Sequence, residues 1–189
     1  MTTQKANSPV VIVLASGRGE RFIAAGGTGS KLRALLAGRP VLERTLDAVR
    51  ASGLPWHVED AGHPGMGDSI AAAVRATSQA PGWLILPGDL PLVQPNTLRA
   101  VAAALGGAVN AVQPQYQGER GHPVGFAAVC GASLAALEGA AGAAPVLRAM
   151  RAAGSVIDLA VDDAGVVTDI DTPEALARAE ALWLARGSA

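Results

Sequence analysis

Two short apolar runs, each cut off by residues that cannot continue it, constrain this chain more than any other feature. The first, Val10-Val11-Ile12-Val13-Leu14, breaks into Ala15-Ser16-Gly17-Arg18-Gly19-Glu20-Arg21; the second, Trp83-Leu84-Ile85-Leu86, stops at Pro87-Gly88-Asp89. Apolar β-prone residues without polar alternation, bounded by glycine or proline, read as strands buried on both faces. Between them the period changes. Val41-Leu42, Thr45-Leu46 and Val49 recur at helical spacing and end near Gly53. A short strand at 56–58 and a glycine-rich loop lead to a helix beginning near Ser69. Pro95 opens another helix with Leu98, Val101 and Leu105 on one face, and 109–112 reads as a fourth strand. Strands alternating with helices predict an α/β fold with a parallel sheet covered on both sides.

Beyond residue 113 the rhythm loosens into a strand at 124–129, helices at 133–137 and 145–152, strands at 155–159 and 166–170, and a last helix at 173–186. No linker, repeat or low-complexity arm divides the chain, so residues 1–189 read as one domain, with 1–8 as a flexible tail. Half the residues are apolar but only 3% aromatic, so the core must be built from Ala, Val, Leu and Ile. No apolar run approaches the roughly 20 residues that span a bilayer, and the polar N-terminus lacks a signal-peptide core; a cytoplasmic protein with no membrane partner is expected. A net charge of −1 with scattered basic residues excludes a nucleic-acid grip. The single cysteine, Cys130, excludes an internal disulfide and reads as a buried, inert thiol.

Small residues after the first strand let backbone N–H groups approach a phosphate, and Arg18, Arg21 and Lys31 can supply positive charge. The plainer alternative is a strand-to-helix turn with solvated basic residues. The Walker loop is absent, because Ser30 precedes Lys31 and Leu32 follows it. The dinucleotide fingerprint fails at its third position, where Phe22 stands; a nucleoside triphosphate is the natural occupant.

Asp89 should emerge at the carboxyl end of the sheet, where open α/β sheets bind ligands and a carboxylate can hold Mg²⁺. A turn or capping role is the alternative. Asp169 and Asp171 flank Ile170 and face one side if a strand runs through them; metal binding and capping before Pro173 both remain open. Gly65-Met66-Gly67-Asp68-Ser69 suits a ligand-facing helix start, or a helix merely capped by Asp68 or Ser69. His122, between Gly121 and Pro123 and two residues after Arg120, lies in a loop that could aim both side chains at an anionic acceptor, although lone histidines are commonly structural. His57 and His63 receive no role.

The segment from Leu14 to Arg21 with the later Lys31 resembles the signature loop of the MobA-like nucleotidyltransferases, which include the molybdenum cofactor cytidylyltransferases and guanylyltransferases. The resemblance extends through most of the chain. Gly88-Asp89-Leu90-Pro91 is similar to the family's metal-binding Gly-Asp-X-Pro, and Asp169-Ile170-Asp171-Thr172-Pro173 to its second acidic segment. One departure is plain: nine residues, 22–30, separate Arg21 from Lys31, where the family usually has a few.

The resemblance implies a three-layer Rossmann-like nucleotidyltransferase fold that moves a nucleoside monophosphate from an NTP to a phosphorylated acceptor and releases pyrophosphate. Leu14, Ala15, Ser16, Gly17 and Gly19, with Met66, Gly67 and Ser69, would then hold the nucleotide; Arg21 and Lys31 would neutralise the phosphates. Asp89 and Asp171, with Asp169 second, would hold Mg²⁺. Arg120-Gly121-His122-Pro123-Val124 looks like the cytidylyltransferase branch's Gly-His-Pro element, which borders the acceptor and favours CTP over GTP. A molybdopterin-type acceptor comes first, with delivery to a molybdoenzyme, and sugar or polyol phosphates second. A non-catalytic molybdenum-cofactor or nucleotide-binding chaperone and an NAD-dependent oxidoreductase are the rivals.

Overall fold

The computed structural model describes residues 8–17 and 19–186, so Arg18 and most of the tail expected at 1–8 lie outside the described residues. The chain runs β1 (Val10–Leu14), α1 (Glu20–Ala24), β2 (Leu35–Leu36), β3 (Arg39–Pro40), α2 (Val41–Ser52), β4 (Trp56–Glu59), α3 (Met66–Ala76), β5 (Gly82–Pro87) and α4 (Pro95–Ala103). It continues with β6 (Ala111–Tyr116), β7 (Glu119–Arg120), β8 (Val124–Ala127), α5 (Gly131–Ala135), α6 (Ala144–Ala152), β9 (Val156–Ala160) and α7 (Pro173–Arg186).

Seven strands form one mixed, mostly parallel sheet in the order β4-β1-β5-β8-β6-β7, with β9 also pairing β6. β1 is parallel to both β4 and β5, with Leu14 opposite Glu59 on one side and Pro87 on the other. Only β8 and β7 run against their neighbours. The wholly apolar strands are explained by the layers. Val11, Val13, Leu84 and Leu86 pack with Leu46 and Val49 of α2 and Leu98 and Val101 of α4. The alternate residues Ile12, Trp83 and Ile85 face the other way, onto Ile70 and Val74 of α3 and Leu134 of α5. Both sheet faces are therefore covered, as the run of apolar residues demanded.

A third cluster, Phe22, Leu36, Val41, Leu92, Ile170 and Ala179, sits beyond the carboxyl ends of β1 and β5 and gathers α1, the β2–β3 hairpin and α7. Four sequence expectations are corrected. α3 starts at Met66, not near Ser69, with Gly65 as its extended N-cap. The strand expected at 124–129 ends at Ala127 and turns into a 3-10 helix. β6 continues to Tyr116 instead of ending at 112. No strand forms at 166–170: Ala164–Val167 is a 3-10 turn capped by Asp163, whose carboxylate accepts from Gly165 N at 2.9 Å. Cys130 is free and buried, and burial raises its thiol pKa.

Candidate active site

The site is built where β1 and β5 end. Gly88 N donates to the Leu14 carbonyl at 2.9 Å, and a Cβ at Gly88 would stand 2.9 Å from that oxygen. Thr45 Oγ1 holds the Gly88 carbonyl from α2 at 3.0 Å. Only glycine permits this approach, and it delivers Asp89 directly over the end of the sheet. From the far end of the chain, Ile170 N donates to the Asp89 carbonyl at 3.0 Å while its fully buried side chain plugs into the third cluster. Asp169 and Asp171 are thereby set on either side of a buried anchor and face Asp89, although no strand pleat puts them there.

Two cations among the described residues complete the cluster. Lys31 Nζ lies 2.5 Å from Asp89 Oδ2 and 2.6 Å from Asp171 Oδ1, with its side chain only 12% exposed. Arg21, largely in solvent, pairs with the other oxygen of Asp171. The remaining oxygen of Asp89, Oδ1, is buried without a hydrogen-bond partner among the described residues. Burial opposes the charge on Lys31, yet the two carboxylates outweigh it and raise its pKa. Burial likewise pushes Asp171 up, but Lys31 and Arg21 outweigh it and hold that carboxyl below its ordinary value. Asp169 has no such cation among the described residues, and burial with the facing carboxylates raises its pKa. His122 joins the same cluster: burial lowers its pKa, and Asp89 partly opposes this. With the ammonium between Asp89 and Asp171, no three His, Cys, Asp or Glu side chains among the described residues are arranged as a metal cage.

The segment 22–30 that separates Arg21 from Lys31 is folded. Phe22, 3% exposed, anchors α1 in the third cluster, and its ring lies so close to Gly27 that a Cβ there would stand 2.3 Å away. Gly19 adopts φ +64 against the Lys31 backbone. Arg21 and Lys31 therefore reach the same carboxylate despite the long spacing.

Along the same edge, Ser16 Oγ and Ser69 Oγ are 3.0 Å apart, and Ala15 N donates to the Glu59 carbonyl at 2.8 Å, so the β1 loop is tied to α3 and β4. Gly67 is not the open N–H expected of it: its amide donates to Gly139 O at 2.7 Å, and a Cβ would stand 2.7 Å from Glu138 O. Gly65 meets Gly139 as closely, and Asp68, inside α3 and not its cap, accepts from Gly139 N at 2.9 Å. Met66 is exposed beside them.

Arg120 is separated from His122. Its guanidinium bonds Asp158 at 2.8 Å on β9, where Arg151 also binds at 2.6 Å. Together they depress Asp158 to about 2, Arg151 contributing most. Sequence reasoning missed Arg151 and the Glu59 cluster. Buried Glu59 accepts from Ala61 N and His63 Nε2 at 3.1 and 3.2 Å, with His57 Nε2 at 3.5 Å. The alternation His57-Val58-Glu59 was the available signal. A groove of about 620 Å³, lined by Arg44, Pro91, Trp183 and Arg186, includes none of the charged residues of this site. Its arginines are engaged by the Ala37 carbonyl and by Leu92 O and Asp163. The site is therefore assigned by its charges, not by volume.

Residues 11–155 match the family described as MobA-like NTP transferase domain. Among solved structures, the Rv0371c protein of Mycobacterium tuberculosis is 25% identical with TM-score 0.72, covering 91% of this chain and 96% of that one. A complex of the same protein with manganese is 24% identical, TM-score 0.68, covering 91% and 97%. A nucleotidyl transferase from Methanothermobacter thermautotrophicus is 22% identical, TM-score 0.79, covering 95% and 99%. No curated protein matches the chain in sequence.

Proposed function

This chain belongs to the MobA-like NTP transferase domain family, and from that membership and the site's geometry we propose that it transfers cytidine monophosphate from CTP to a small phosphorylated acceptor. Membership makes it a nucleotidyltransferase. The nucleotide, the acceptor and the ion are the proposal. The observation that carries it is the meeting of Arg21 and Lys31 with Asp89, Asp169 and Asp171 beyond the ends of β1 and β5.

In this reading the triphosphate lies along the loop 14–19, with Arg21 and Lys31 binding its phosphate oxygens. The base lies against Met66 and the Ser16–Ser69 pair. Gly67 supports that wall from behind, since its amide is already engaged. A phosphate oxygen of the acceptor forms the new bond to the α-phosphorus. The α–β anhydride bond breaks, and pyrophosphate leaves with the bonding pair. No protein nucleophile is required, and catalysis rests on positioning and charge.

All the acidic donors are hard oxygens, and Asp89 Oδ1 is buried without a partner; this donor set fits Mg²⁺ or Mn²⁺. Asp89 and Asp171 would hold the ion, with Asp169 beside them. When bound it offsets charge on the phosphates. Manganese in the mycobacterial neighbour supports a divalent ion. His122, kept neutral by burial, borders the acceptor side, and half-exposed Arg120 would meet an anionic group farther out. The Arg-Gly-His-Pro sequence favours CTP, and a molybdopterin-type acceptor stands first, with cargo passed on to a molybdoenzyme in the cytoplasm. No helix among the described residues is long and apolar enough to cross a membrane.

The test is incubation with CTP, GTP, ATP or UTP, Mg²⁺, and molybdopterin or a polyol phosphate, with pyrophosphate followed. CTP with molybdopterin should release it fastest. Tight binding of nucleotide or pterin without pyrophosphate from any pair would sink the transferase reading of this chain and leave a carrier.

A further inference from the structure

The two carboxylates assigned above to the metal already share a cation, and it belongs to the protein. Lys31 Nζ stands 2.5 Å from Asp89 and 2.6 Å from Asp171, so the ammonium occupies the space between them. It is not a surface ion pair brushing past. All three side chains are at most 19% exposed. Lys31 is also embedded at its base: Gly19 packs on its backbone, and Leu32 behind it is 7% exposed.

Lys31 and Arg21 pair with Asp89 and Asp171, so the pull of these two carboxylates on a free divalent cation is already offset by the protein's own charges, with Asp169 beside them as a further carboxylate. A divalent ion entering beside the ammonium would meet a positive charge within a few ångströms and would have to share the same oxygens. A triphosphate changes this, because it offers Lys31 and Arg21 new anionic oxygens and frees the carboxylates together.

Resting on the functional reading above, we propose that Lys31 is the resident occupant of the metal position in the nucleotide-free protein, so that a divalent ion binds Asp89 and Asp171 only once a triphosphate has drawn Lys31 away. Lys31 is then a positioning residue with two seats. Metal and nucleotide affinities must be coupled, each raising the other by the same factor.

Two measurements test this, neither of them turnover. The first is Mn²⁺ affinity by electron paramagnetic resonance, with and without a non-hydrolysable CTP analogue. Wild-type protein alone should bind Mn²⁺ weakly; Lys31→Met and Lys31→Gln should bind it at least tenfold tighter without nucleotide. Arg21→Met removes the same charge from the rim without vacating the seat, and should change affinity less than threefold. The second uses the fact that Lys5 and Lys31 are the only lysines in the chain, so ammonium-labelled protein gives two signals. Mg²⁺ alone should leave the Lys31 signal in place, and the analogue should move it.

Equal Mn²⁺ affinity in wild type and both Lys31 variants would overturn the proposal, as would a Lys31 signal that Mg²⁺ alone carries to its nucleotide-bound position. If Asp89→Asn left Mn²⁺ binding intact in the presence of the analogue, the metal assignment itself would fall, separately from the role of Lys31.

Discussion

Phe22→Ala asks whether the long segment after Arg21 is part of the site's framework. The ring is 3% exposed, packs in the cluster of Leu36, Val41, Leu92, Ile170 and Ala179, and is the only buried side chain of α1. Phenylalanine truncations in closed cores cost about 3–5 kcal/mol. This helix has five residues and one anchor, so it can detach locally, which caps the loss; about 2–4 kcal/mol is expected. For a chain of this size that lowers Tm by roughly 5–10 °C. Because Arg21 is the neighbouring residue, its grip on Asp171 and its proposed contact with the phosphates go with the anchor, and KM for the triphosphate should rise about tenfold, one charge-assisted contact. Phe22→Leu keeps most of the contact and should cost only about 1 kcal/mol with KM nearly unchanged. Thermal melts, urea titration and initial rates on the three proteins decide it. A Phe22→Ala protein with wild-type Tm and wild-type KM would refute the view that this cluster fixes Arg21.

Other substitutions probe the rest of the edge. Asp89→Asn should lower kcat at saturating Mg²⁺ by about 100-fold or more, since it weakens charge stabilisation directly at the reacting phosphates, and pyrophosphate release reads it. Gly67→Ala drives a Cβ to 2.7 Å from Glu138 O and should cost about 1–3 kcal/mol in urea titration, because backbone, not a flexible side chain, must yield. Burial lowers the His122 pKa in the fold, so the unfolded chain binds that proton more readily. Stability from this residue is therefore present above about pH 6.5 and lost as pH falls towards the depressed value. The urea midpoint should fall on acidification by more in wild type than in His122→Gln, and parallel profiles would exclude the assignment.

What the sequence made legible was whatever local periodicity controls. β1 and β5 are apolar throughout because both their faces are covered, and α2 shows its spacing and its terminal Gly53, at φ 73, without help from the rest of the chain. Gly65 and Gly67 were legible as special but not for their reason, which is a turn at Glu138–Gly139 pressed against them from far along the chain. Val166 to Ile170 has strand composition, yet Asp163 holds Gln94 N, Thr97 Oγ1 and Gly165 N, and Gly165 presses on the Leu92 carbonyl. These tertiary bonds override β-propensity. The acidic pair still reaches Asp89, through the burial of Ile170 and not through a pleat. The sequence marks Lys31 only as a candidate for binding phosphate; its hold on two carboxylates depends on residues distant in sequence.

The bond from Ile170 N to the Asp89 carbonyl also orders events in time. Ribosomal synthesis presents β1, the glycine loop, Lys31 and Asp89 early, and those parts can begin to pair while α7 is still being made. Asp171 is emplaced only when the chain returns and Ile170 and Ala179 close the third cluster. A nascent chain therefore lacks Asp171 at this edge until α7 has been made, and the acidic pair is set against Asp89 only then.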